Sequence, residues 1–148
     1  MPNVRKRHGT ASELQVVGQL LDAGFDVYQT VVDDQGIDAV LRVPRRGGEV
    51  LYFDLQTKSS RSWSGIRGKV SALGTRDNTV LILFNSSTHE CLWFDARAIA
   101  NEFSGTGRWG GIFLRNDRLP RFRREGRDKL GALLRHLETH QPRRKRRS

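Results

Sequence analysis

The sequence predicts a single α/β domain built on a mixed sheet flanked by helices. Three observations lead there. A segment of helical period opens the chain, runs of strand character separated by turn chemistry follow it, and a continuous apolar run lies beyond a Ser-, Gly- and Arg-rich stretch. At 148 residues the chain is one ordinary domain long, with no internal repeat or low-complexity linker to divide it. The expected limits are 10–140 for the domain, a flexible basic N-terminus over 1–9 and a disordered basic tail over 141–148.

Thr10-Ala-Ser-Glu13 has the capping-box pattern, and Leu14, Val17, Leu20 and Leu21 then recur at helical spacing until Gly24, so an amphipathic helix is expected from Thr10. Phe25 to Val32 is rich in β-branched and aromatic residues, Asp33-Asp34-Gln35-Gly36 is turn chemistry, and Ile37 to Val43 resumes strand character, which makes a hairpin. After the turn Arg45-Arg46-Gly47-Gly48, a third strand over Val50 to Lys58 alternates strictly. Leu51, Phe53 and Leu55 fall on one face, and Tyr52, Asp54, Gln56 and Lys58 on the other.

Residues 59–78 are too broken for a long helix and read as a functional loop. Thr79 to Phe84 is a run suited to the middle of a sheet, and Cys91 to Phe94 is expected to pair with it across Asn85-Ser86-Ser87. Asp95 is placed to cap a helix through Phe103. A short strand at Ile112 to Leu114 and a basic helix near Glu125 to His140, with Leu130, Leu133, Leu134 and Leu137 as its apolar stripe, complete the reading.

Composition excludes several classes. No apolar run approaches the roughly 18 residues of a membrane span, and no apolar segment of the secretory type follows Arg5-Lys6-Arg7. Cys91 is the sole cysteine, so an internal disulfide framework is impossible and a reducing compartment fits: the cytoplasm, at the nucleoid in a prokaryote. Residues 1–114 carry 13 basic and 12 acidic side chains, whereas residues 115–148 carry 13 basic and 4 acidic. A nearly neutral body with a strongly basic C-terminal part points to a polyanion, and a tail that only aids solubility is the alternative.

Chemistry concentrates in three neighbouring elements: Glu13 on the first helix, Asp38 at the start of the second strand, and Asp54-Leu55-Gln56-Thr57-Lys58 on the third. Hard divalent cations take oxygen ligands, and adjacent strands bring Asp38 and Gln56 within reach of one ion. Lys58 lies two residues further along the face of Gln56. A lysine there can orient or deprotonate a water, or neutralise charge building on phosphoryl oxygens, which is the task of phosphodiester hydrolysis.

Taken in order, Glu13, Gly24-Phe25-Asp26-Val27, Gly36-Ile37-Asp38 and Gln56-Thr57-Lys58-Ser59-Ser60 resemble the PD-(D/E)xK nuclease superfamily, which includes homing nucleases, methyl-directed restriction enzymes and Holliday junction resolvases. The resemblance covers residues 9–60 and, more loosely, 79–94. It implies a restriction-endonuclease-like core and a Mg²⁺- or Mn²⁺-dependent endonuclease acting on DNA. Asp38 and Gln56 would be metal ligands, Glu13 a supporting ligand, and Lys58 the residue at the nucleophile. Two departures stand out: Gly36-Ile37 replaces the proline of the family's name, and Gln56 stands where a carboxylate is more usual. A Gln carbonyl brings no charge, so metal affinity falls unless Glu13 or Asp54 compensates.

Each residue also has a structural reading. Glu13 can be the capping partner of Thr10, Asp38 a turn residue, and Asp54, Gln56 and Lys58 the solvated face of an edge strand. The histidines at 8, 89, 136 and 140 have no cysteine partners at zinc spacing, so no structural zinc site is expected. Ser59, Ser60, Arg61, Ser62, Trp63, Arg67 and Lys69 form a loop of phosphate donors beside the candidate lysine, with Trp63 as either a base-stacking platform or a core anchor. Arg121, Arg123, Arg124 and Arg127, with the tail Arg143, Arg144, Lys145, Arg146 and Arg147, would add phosphate contacts of little sequence preference.

Cutting both strands of a duplex calls for a homodimer at least, with Trp93, Phe94, Ile112 and Phe113 as candidates for its apolar contact and the ordinary core as their alternative. The competing function is a catalytically inactive nuclease-fold module that binds nucleic acid within a larger complex.

Overall fold

In the computed structural model the described residues are 3–31, 36–63, 77–102 and 118–141. The elements in order are α1 (Val4–Asp22), β1 (Asp26–Gln29), β2 (Ala39–Pro44), β3 (Val50–Ser60), β4 (Thr79–Asn85), β5 (Cys91–Asp95), α2 (Ala96–Glu102), α3 (Leu119–Arg124) and α4 (Leu130–Glu138). The five strands form one sheet in the order β1-β2-β3-β4-β5. β1, β2 and β3 are an antiparallel meander, β4 joins β3 in parallel, and β5 returns antiparallel to β4. The expected α/β class with a mixed sheet and flanking helices is therefore the observed one.

α1 starts six residues earlier than the Thr10 capping box predicts. Asn3 is the N-cap and accepts from the Lys6 N–H at 3.4 Å, while Thr10 lies inside the helix and donates its hydroxyl to the Lys6 carbonyl at 3.1 Å. Residues 4–9, expected to be flexible, are therefore the first turns of the helix. The buried stripe also differs: Ser12, Val16 and Leu20 face the sheet, while Leu14 and Leu21 are 54% exposed. Position against the sheet decides which of two overlapping stripes turns inward.

The C-terminus of α1 follows the sequence. Gly24 takes φ +95°, its N–H bonds the Leu21 carbonyl at 3.0 Å, and the Phe25 N–H bonds the Leu20 carbonyl at 3.0 Å. This is a Schellman arrangement, and the buried side chains of Leu20 and Phe25 belong to the same core.

Two apolar clusters sandwich the sheet. On one side α1 and α4 cover Leu41, Phe53, Leu55, Ile82 and Trp93; on the other, Ile99 of α2 and Phe122 of α3 pack on Leu81, Leu83, Leu92 and Phe94. All seven residues of β4 are buried, because the strand is covered on both faces and hydrogen-bonded on both edges.

The basic helix expected over 125–140 is two elements. Gly126, with φ +76°, turns the chain between α3 and α4, and Leu130, Leu133 and Leu137 form the buried stripe of α4. Asp95 caps α2 as expected, Oδ1 accepting from the Ala98 N–H at 2.7 Å. The strand expected at 112–114 lies outside the described residues. No helix among the described residues is long and apolar enough to cross a membrane.

Candidate functional site

Asp38 sits one residue before β2, where the chain enters the sheet. Its N–H bonds the Leu55 carbonyl at 2.9 Å, its carbonyl accepts from the Thr30 hydroxyl at 3.2 Å, and its carboxylate Oδ2 accepts from the Thr57 N–H at 2.6 Å. The carboxylate is thus fixed against β3. The β2–β3 register ends with Ala39 opposite Leu55, and Asp38 just before it is held by the Leu55 carbonyl and the Thr57 N–H, the residues that flank Gln56 on β3.

β3 alternates as its sequence predicts. Phe53, Leu55 and Thr57 are buried, the first two in the core beneath α1 and α4, while Gln56 and Lys58 lie on the other side, in register with Leu81 and Leu83. The Oε1 of Gln56 is buried with no hydrogen-bond partner. Its amide meets Gly36, where an added Cβ would stand 3.1 Å from Nε2 and the backbone holds φ +70°. Glycine is required there on both counts, conformation and space.

Glu13 approaches from α1. It lines a cleft of about 230 Å³ together with Thr10, Thr30, Asp38 and Thr57. Among the described residues, β3 contributes Leu55 and Thr57 to that cleft rather than Gln56 and Lys58. Asp38 is therefore the junction, with Glu13 on the cleft side and Gln56 and Lys58 on the opposite face of β3. The capping role for Glu13 is overturned, because α1 begins at Val4 and Glu13 lies in its third turn.

The residues expected to hold nucleic acid separate. Ser59 and Arg61 are exposed beyond the site, and the Arg61 carbonyl accepts from Ser87 at 3.0 Å. Trp63 is 7% exposed and packs with Leu81, Leu83 and Phe94, so it anchors the core instead of offering a stacking face. Arg67, Lys69 and Arg143 to Arg147 lie outside the described residues.

Three of the four arginines at 121–127 have internal partners. Arg121 pairs with Glu102 and Glu125, Arg123 makes a two-pronged bond to Glu90, and Arg127 pairs with Glu125 at 3.0 Å while lying over the Phe94 ring at 4.8 Å. Arg124 is exposed. The dimer contact expected at Trp93 and Phe94 is also corrected, since both are buried in the two cores; Ile112 and Phe113 lie outside the described residues.

A second cluster was not foreseen. Asp95, His136 and His140 place one ligand atom each within 4.8 Å of one another, with His136 Nε2 at 2.5 Å from Asp95 Oδ2. Burial raises the Asp95 pKa, but the hydrogen bonds from His136 and the Ala98 N–H and the nearby imidazoles outweigh it, and the net shift is downward. Burial lowers the His140 pKa, and Arg97, His136 and Arg45 add to this against the pull of Asp95. The i, i+4 spacing of the two histidines was the available signal; their carboxylate partner lies 41 residues earlier, beyond any local pattern.

No protein-family model matches the chain, and no curated protein matches it by sequence. Its structure is similar to that of a bacterial homing endonuclease, I-Ssp6803I, with a TM-score of 0.58 and 17% identity over 92% of this chain and 94% of that one. The fold is therefore a nuclease-like one, shared along almost the whole of both chains.

Proposed function

We propose that this protein is a divalent-metal-dependent endonuclease that hydrolyses DNA phosphodiester bonds, of the PD-(D/E)xK type. The observation that carries the reading is the buried, unpartnered Oε1 of Gln56, next along β3 to Thr57, whose N–H fixes the Asp38 carboxylate, and two residues before Lys58. A buried carbonyl oxygen without a donor costs roughly 1–3 kcal/mol, so such an atom suits a cation ligand. The similarity in fold to a homing endonuclease supports the same reading.

Asp38 and Gln56 would hold Mg²⁺ or Mn²⁺, with Glu13 supporting from the α1 side of Asp38. Bound there, the ion supplies charge neutralisation at the scissile phosphate and lowers the cost of forming a hydroxide nucleophile. Lys58, on the Gln56 face, would orient the attacking water or screen the charge growing on the phosphoryl oxygens. The Thr57 N–H keeps Asp38 from swinging away, so the oxygen donors are pre-positioned. The Ser59-Ser60-Arg61 end of β3, Arg67, Lys69, Arg124 and the tail Arg143 to Arg147 hold the DNA backbone, and a homodimer would supply the two sites that a duplex cut needs.

The test is cleavage of plasmid, junction and RNA substrates with and without Mg²⁺ or Mn²⁺, comparing wild type with Lys58→Ala and Asp38→Asn. Metal-dependent DNA cleavage lost in both variants supports the proposal, and cleavage surviving both overturns the site. The neutral Gln56 favours one other reading, an inactive nucleic-acid-binding module, which predicts DNA binding with neither metal binding nor cleavage.

A further inference from the structure

We propose that Asp95, His136 and His140 form a second metal site, of zinc type and independent of the proposed nuclease chemistry, that staples the end of α4 to the β5–α2 junction. The ligand atoms already converge, all within 4.8 Å of one another. Asp95 is 8% exposed and fixed by its cap: Oδ1 holds the Ala98 N–H at 2.7 Å, which leaves Oδ2 turned toward His136. Both imidazoles are seated on aromatic rings, His136 with its centroid 5.3 Å from that of Trp93 and His140 edge-on to Phe53 at 5.3 Å.

The donor set decides the ion. Two imidazole nitrogens and one carboxylate suit Zn²⁺, whereas Mg²⁺ prefers oxygen throughout. A Zn²⁺ bound tetrahedrally at about 2.0–2.1 Å sets neighbouring ligand atoms about 3.3 Å apart. His136 Nε2 and Asp95 Oδ2 must then part from their present 2.5 Å, which the exposed His136 side chain allows by rotation. Asp95, His136 and His140 all line an open cavity of about 540 Å³ whose lining also includes Asn101, Glu102 and Gln141. Behind the cluster, Asn78 Oδ1 and Thr79 Oγ1 are buried without partners, and both residues line the small cavity that Asp95 and His140 also line. Arg97 and Arg127 stand beside the outer cavity and oppose a cation, with Glu102 on the same wall pairing with Arg121 and Arg127.

The cluster is separate from Asp38. Ala39, Leu55, Val80 and Asp95 form one row across β2, β3, β4 and β5, so Asp95 lies three strand spacings, about 14 Å, from the residue that follows Asp38.

The experiment uses tag-free, chelator-treated full-length protein. After ZnCl₂ addition and desalting, elemental analysis is expected to find one zinc per chain, Co²⁺ to give visible d–d absorption, and ZnCl₂ to raise the thermal midpoint. His136→Gln and His140→Gln are each expected to weaken Zn²⁺ at least tenfold by calorimetry and to remove the thermal shift, while Asp38→Asn keeps all three signals. Circular dichroism checks each variant's fold, and if one histidine variant is unfolded the other decides. Wild type retaining no zinc, or zinc lost in Asp38→Asn but kept in the histidine variants, overturns the site. Failure of this test leaves the nuclease proposal standing, because cleavage is read separately at Lys58.

Discussion

The Asp38 carboxylate accepts the Thr57 backbone N–H at 2.6 Å, which ties the start of β2 to the one β3 residue that stands between Gln56 and Lys58. Two substitutions at Asp38 therefore separate structure from chemistry. Asn keeps an oxygen that accepts the Thr57 bond, so Asp38→Asn is expected to melt near wild type; Asp38→Ala leaves a part-buried N–H unpaired and costs about 1–3 kcal/mol in denaturant melts. Both lose metal-dependent cleavage, and a cleaving Asp38→Ala enzyme would remove Asp38 from the site.

Gln56 is the second test point. Gln56→Glu adds a charge where the oxygen has no partner, and is expected to tighten Mn²⁺ or Mg²⁺ at least tenfold by calorimetry. Gly36→Ala crowds the same amide and strains a left-handed backbone, costing about 1–2 kcal/mol of stability and weakening the ion with no ligand removed. Absence of metal binding in both wild type and Gln56→Glu favours the inactive binding module.

Trp63 separates packing from nucleic-acid contact. Its burial against Leu81, Leu83 and Phe94 predicts that Trp63→Ala costs about 3–5 kcal/mol in thermal or denaturant unfolding. DNA affinity of the folded fraction is expected to stay close to wild type, as gel-shift titration at low temperature would show.

Cys91 is buried on β5, and burial pushes its thiol up to about 12 from a usual 9.0. Below pH 9 the native thiol is protonated and shielded, so alkylation by iodoacetamide is expected only at the rate of unfolding. Because the folded pKa is the higher one, this group's contribution to stability is complete below about pH 9 and is lost as pH rises through about 12. Fast labelling at neutral pH would contradict the packing of β5 on α1.

The basic run Arg143 to Arg147 has no apolar residue with which to pack. Deleting residues 143–148 is expected to weaken DNA binding at moderate salt and to flatten the slope of log affinity against log salt, by about 0.9 for each phosphate that the tail would neutralise. Turnover at saturating substrate is expected to be unchanged. An unaltered slope would leave Arg61, Arg124 and the loop lysine and arginine to bind the phosphates.

Local pattern determined much of this protein. The alternation of Val50 to Lys58, the turn at Gly47-Gly48, the cap at Asp95 and the Gly24 stop are each written within a few residues, and each stands in the structure as the sequence predicts. The order of Glu13, Asp38, Gln56 and Lys58 along a helix and a meander was legible for the same reason, since a meander brings consecutive strands together.

Tertiary structure alone decided the rest. Only the placement of α1 on the sheet turns Val16 inward and leaves Leu14 out, and only the packing of β5 against α3 fills Trp63, Phe94 and Arg127 into a core where composition suggested contacts to DNA or to a second chain. Asp95 meets His136 and His140 because β5 and α4 pack side by side, bringing together partners that are 41 residues apart at the nearest. Helical hydrogen bonds, tight turns and caps act over one to five residues and so leave a mark in the sequence. Which faces meet across the sheet depends on burying the total apolar surface at once, and no short stretch of sequence encodes that sum.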